Sequence, residues 1–158
     1  MCKTIEDVIS ERLVDNEQKN ALDFVAHLRA NEIEIPRHAP DSYFWNPEYK
    51  GEGMCVLNIT TDENGHYFDV FIQNLPDAWV TGETIDQRIK EIVWANIRRC
   101  DPTCHGKCSP GSRATICGKE FDGLCSSRLG IYSPNAEAVD CLNKIISAKK
   151  DEIDRKSM

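Results

Sequence analysis

Met54-Cys-Val-Leu-Asn-Ile-Thr60 and His66-Tyr-Phe-Asp-Val-Phe-Ile72 alternate apolar and polar residues on either side of Asp62-Glu63-Asn64-Gly65. Alternation with a period of two is the mark of a strand with one buried face. Asn-Gly supplies the positive backbone dihedrals that a tight hairpin turn demands. The stretch therefore predicts an antiparallel hairpin, and the helical segments around it predict what covers the sheet.

Upstream, Thr4 can cap a short helix carrying Ile5, Val8, Ile9 and Leu13, and Asp15 or Asn16 can cap a second with Ala21, Leu22, Val25 and Leu28 on one stripe. Residues 35–53 are rich in Pro, Gly and aromatics without a period, which reads as a structured loop. Downstream, Thr84 with Gln87 three residues later forms a capping box before Ile85, Ile89, Ile92, Val93 and Ile97, a helix that delivers Cys100 at its end. Strands follow around 113–117 and 128–132. Ser133-Pro134 then opens a last helix with Ala138, Cys141, Leu142, Ile145 and Ile146 buried. The fold class expected is α+β, a small antiparallel sheet with helices packed on one face and a cysteine-rich metal-binding loop over 100–125. With 158 residues, 41% of them hydrophobic, residues 1–150 should form a single domain, and the charged residues 151–158 should fray.

Chemistry concentrates in the cysteines. Five of the eight fall within Cys100-Asp-Pro-Thr-Cys104-His105-Gly-Lys-Cys108, Cys117 and Cys125. Thiolate sulfur is soft and selects zinc, cuprous copper or iron–sulfur clusters over calcium and magnesium. Three residues separate Cys100, Cys104 and Cys108, within the two-to-four spacing of zinc knuckles. The fourth ligand comes from His105, Cys117 or Cys125; Cys117 ends what reads as a buried strand, whereas Cys125 precedes polar Ser126-Ser127, which favours Cys100, Cys104, Cys108 and Cys125. Zinc is the expected metal, with an iron–sulfur cluster as the alternative. Disulfides are the rival use of so many cysteines. The N-terminal residues form no apolar run of signal-peptide length and no stretch nears about 18 uninterrupted apolar residues, so a cytoplasmic, non-membrane chain is expected. Cys2, Cys55 and Cys141 read as small hydrophobes without a site role.

Net charge is −7, which argues against general nucleic-acid binding because duplex affinity comes from phosphate neutralisation. Residues 95–130 nevertheless hold six basic residues (Arg98, Arg99, Lys107, Arg113, Lys119, Arg128) against Asp101, Glu120 and Asp122. Four thiolates around one divalent ion would offset much of that surplus. No catalytic signature accompanies the cysteines. His27 lies in an apolar helix, Gly51-Glu-Gly53 lacks the context of a dinucleotide loop, and Gly118-Lys119 lacks the upstream glycine of a phosphate loop. Trp45, Tyr49 and Trp79 lie in loops beside the expected sheet, where they serve either as core lids or as the walls of a small-molecule pocket. A ligand-binding or regulatory module with a structural metal is the reading favoured here. A cysteine- or metal-dependent enzyme, and a protein-interaction factor using the acidic N-terminal helices, are the alternatives; oligomeric state is outside what the residues say.

The segment from Cys100 through Cys108-Ser-Pro-Gly, Ile116-Cys117-Gly-Lys-Glu-Phe-Asp-Gly-Leu-Cys125 and Tyr132-Ser-Pro-Asn-Ala-Glu-Ala-Val-Asp-Cys141-Leu resembles the C-terminal half of small uncharacterised bacterial cysteine-cluster proteins. The resemblance spans roughly residues 90–150. It implies a cytoplasmic bacterial protein with a small α+β fold and carries no activity.

Overall fold

The computed structural model describes residues 3–39, 42–100 and 111–157. In chain order the elements are α1 (Ile5–Arg12), α2 (Asp15–Ala30), β1 (Phe44–Trp45), β2 (Glu48–Tyr49), β3 (Glu52–Gly53), β4 (Val56–Asp62), β5 (Gly65–Ile72), a 3-10 turn (Asp77–Trp79), α3 (Gln87–Ala95), β6 (Ile97–Arg99), β7 (Ser112–Ile116), β8 (Lys119–Tyr132) and α4 (Ala136–Lys156). Helices combine with antiparallel strand pairs, the α+β class expected. The chain comprises two compact units, Met1–Val70 with Ile131–Met158, and Phe71–Gly130.

In the first unit, Thr4 Oγ1 accepts from the Asp7 amide while Asp7 Oδ2 accepts from the Thr4 amide, a closed capping box for α1. Helix α2 has no side-chain cap: Val14 holds the cap position and Asp15 takes a φ of 51°. Its buried stripe is Ala21, Phe24, Val25 and Leu28, so Phe24 takes the place expected of Leu22. Burial of each large side chain here contributes about 1.5–3 kcal/mol. Helices α1 and α4 both pack against α2.

The hairpin of β4 and β5 forms as expected, with a modified turn. Glu63 and Asn64 connect the strands, the Asn64 amide donates to Asp62 Oδ1 (2.7 Å), and only Gly65 of the turn takes positive φ, at 138°. β1 pairs antiparallel with β4, setting buried Trp45 opposite buried Leu57.

Strand β5 carries Asp69, the buried charged side chain of the described core, 5% exposed. Thr60 Oγ1 donates to its Oδ2 (2.8 Å). Burial pushes its carboxyl above the ordinary range, the Thr60 hydroxyl and Ser133 amide oppose this, and the nearby Glu17 charge adds to it. A carboxyl with a raised folded-state pKa favours the protonated form on folding, so ionisation at neutral pH works against stability. Asp69→Asn keeps an acceptor for Thr60. It should raise the melting temperature at pH 7 by a few degrees, corresponding to about 1 kcal/mol in a chain of this size. The gain should shrink as pH falls towards 3, where both chains are neutral at this position. A variant less stable than the parent at pH 7 would refute this account.

Helix α4 corrects two expectations. Asn135 is its cap, accepting from the Ala138 amide at 2.9 Å, and Ser133 sits outside the helix with φ 47°. Residues 151–156, expected to fray, continue the helix. Ile153 is buried, and Asp154 Oδ1 accepts from Tyr49 Oη and Lys50 Nζ, both at 2.8 Å, tying the helix end to β2 and the residue after it.

Candidate metal centre

In the second unit, α3 begins at Gln87 with Asp86 as its cap, the Asp86 carboxylate accepting from the Arg88 amide; Thr84 does not cap it. The helix ends at Ala95. Ile97, expected to be helical, starts β6, so a strand carries the chain to Cys100.

β8 is the strand on which both β6 and β7 are built. Leu124 faces Arg99 of β6 and Ser112 of β7, and its side chain is fully buried. The Cys100 amide donates to the Gly123 carbonyl at 2.6 Å. On the β7 side Gly111 lies so close that a Cβ on it would sit 2.6 Å from the Gly123 carbonyl carbon. Cys100 and Gly111, the described residues on either side of 101–110, therefore both meet one residue of β8, immediately before Leu124-Cys125. Gly111 takes φ +93° and Gly123 φ +62°, conformations that favour glycine at this close approach.

Cys100 lies one residue past the Arg99–Leu124 pair on β6, and Cys125 one residue past it on β8. The register then shifts: Ile97 faces Leu129, leaving 125–128 of β8 opposite Arg98 alone. Such a bulge re-aims side chains. Arg128 braces it, donating to the Cys125 carbonyl (3.3 Å) and to Ser112 Oγ. Cys100 and Cys125 are both partly exposed. Cys104, His105 and Cys108 lie outside the described residues, and among the described residues no three metal-ligating side chains come together.

Cys117 occupies a turn, where a strand position was expected. Ile116 pairs with Lys119, and between them Cys117 and Gly118 take φ of 51° and 81°, the two positive values of a type I′ hairpin. The outward amides of the turn are bound: Cys117 N–H donates to the Trp79 carbonyl and Gly118 N–H to that of Val80, each at 2.7 Å. Trp94 Nε1 donates to the Ile116 carbonyl at 2.9 Å. The thiol is buried, and burial raises its pKa above the usual thiol value, with Lys90 opposing. From the Ser112–Leu124 pair to this turn is roughly 15 Å of strand. Two cysteine side chains joined through zinc–sulfur bonds of about 2.3 Å each cannot bridge that length.

The basic residues near β8 are largely engaged. Arg113 pairs with Glu120 and with Asp122 (3.0 Å); Arg98 lies over Phe71, Arg99 over Phe121, and Lys119 over Trp94 and Phe121. Cys55 and Cys141, read as small hydrophobes, are buried, and desolvation pushes the Cys55 thiol up to about 12. Trp45, Tyr49 and Trp79, weighed as lids or pocket walls, are all buried, at 1%, 8% and 5% exposure. His27 also has its partners: its Nε2 lies 3.3 Å from both Asn31 Nδ2 and Ser147 Oγ. Burial lowers its pKa, with a backbone hydrogen bond at Asn143 opposing.

No protein-family model, no curated protein and no solved structure matches the chain.

Proposed function

We propose that the chain is a small metal-binding module in which zinc, held by Cys100, Cys104, Cys108 and Cys125, is structural, leaving ligand binding or regulation as its role. The observation that supports this is that Cys100 and Gly111, the described residues on either side of 101–110, both meet Gly123. That segment contains two of the four cysteines; a third stands at one of its ends, and the fourth lies two residues beyond Gly123. Four thiolates fill a tetrahedral zinc site and leave no open position of the kind catalytic zinc keeps.

Protein purified under reducing conditions from chelator-free lysate should carry about one zinc per chain by inductively coupled plasma analysis. Metal below a tenth of an equivalent would end the proposal. Iron together with visible absorption would replace zinc with a cluster.

A further inference from the structure

The first unit holds a second feature of different chemistry. Arg12, in the last turn of α1, and Arg37, held opposite Trp45 by an isolated strand bridge, converge on the ring of Tyr43. The Arg12 guanidinium lies 4.6 Å and that of Arg37 5.6 Å from the ring centroid, and Arg37 is also 5.4 Å from the Trp45 ring. Arg12 Nη2 donates to Tyr43 Oη, and Arg37 Nε donates to the Ser42 carbonyl. Both arginines are half-buried, and Tyr43 is exposed.

Among the described residues several cations meet a carboxylate, as Lys3 does with Glu11, Arg29 with Glu6, Lys50 with Asp154 and Arg113 with Glu120. Among the described residues no carboxylate pairs with Arg12 or Arg37. Two like charges gathered on one ring repel each other, and an anion between their remaining N–H donors relieves that repulsion. Arginine's planar fork matches oxyanion geometry, and the stacked rings hold each fork in place before a ligand arrives. A phosphate monoester carries close to two negative charges at neutral pH and so offsets both guanidinium charges, where one carboxylate offsets one.

We infer that Arg12, Arg37 and Tyr43 form a binding site for a phosphate group, free or carried as the monoester of a small metabolite. This site is independent of the metal centre, and its failure would leave that reading intact.

Titration of the full-length, metal-replete protein with inorganic phosphate and with phenyl phosphate, followed by the arginine Nε–H and Trp45 indole resonances, tests it. Saturable shifts of Arg37 Nε–H and Trp45 are expected. Arg12→Gln and Arg37→Gln should each weaken binding about tenfold, the scale of one charge-assisted hydrogen-bonded contact. Tighter binding of the ester assigns the monoester, and equal binding assigns the free ion. If Arg37→Gln loosens the packing on Trp45, Arg12→Lys, which keeps the charge and loses the fork, must still weaken binding several-fold. Shifts that do not saturate, or that survive in the glutamine variants, overturn the inference. So does binding that emerges only in Asp41→Asn, since the chain's own carboxylate would then be the anion.

Discussion

Purified under reducing conditions, the Cys125→Ser chain is expected to carry less than a tenth of the zinc of the parent, while Cys117→Ser retains a full equivalent. A serine oxygen is a poor match for a thiolate-built zinc site, and its loss leaves three thiolates sharing a divalent ion without the fourth. Cys125 stands two residues beyond Gly123, the residue that both Cys100 and Gly111 meet, whereas Cys117 is pinned in a turn by the Trp79 and Val80 carbonyls, roughly 15 Å of strand away. Cys117→Ser should instead reduce stability by about 1–3 kcal/mol, the cost of placing a hydroxyl where a buried thiol packs. Circular dichroism of both variants separates lost metal from lost fold. The reverse pattern, zinc lost only with Cys117, would place the fourth ligand in the turn.

Gly111→Ala is expected to destabilise the chain by about 2–4 kcal/mol, combining overpacking against backbone with a strained left-handed conformation. The new Cβ would fall 2.6 Å from the Gly123 carbonyl carbon and 2.8 Å from its Cα, at a φ of +93°, and backbone atoms cannot swing aside as a lysine tip would. Urea unfolding with and without a chelator should show the loss in both conditions, because the clash does not depend on metal, together with weaker zinc retention. Gly53→Ala is the control: its Cβ meets nothing within 4 Å, and its midpoint should move by less than about 0.5 kcal/mol. Equal midpoints for Gly111→Ala and the parent would show that the Gly111–Gly123 approach is not required.

The β4–β5 hairpin was legible because two apolar-rich runs, the first alternating through Leu57 and Ile59, flank a turn with its own punctuation, and a one-residue slip there would turn Leu57 and Ile59 outward. The α1 cap was legible because Thr4 and Asp7 are local to it. The type I′ turn at Cys117-Gly118 was not, because a cysteine at positive φ is uncommon and its apolar neighbours Ala114 and Ile116 read as strand. What fixes it is non-local, two carbonyls some 40 residues upstream. The end of α4 was hidden for a related reason. Its charges read as a solvated tail, and only the contacts to Tyr49 and Lys50, about a hundred residues away, and the burial of Ile153 explain why the helix continues. The cysteine spacing predicts a shared site; which strand would carry its fourth ligand depends on register, and register is set by the ladder of β6, β7 and β8.

That ladder also fixes an order of assembly. Cys100 and Gly111 both meet Gly123, which lies downstream of both in the chain. During synthesis, at roughly 5–20 residues per second, Cys100, Cys104 and Cys108 leave the ribosome before the strand that Cys100 and Gly111 both meet exists. Until Gly123 and Cys125 have emerged, those three thiols are exposed to any metal or oxidant in the surroundings. Ribosome-bound chains halted before and after Cys125, probed with a thiol alkylator, should therefore differ abruptly in the protection of Cys100.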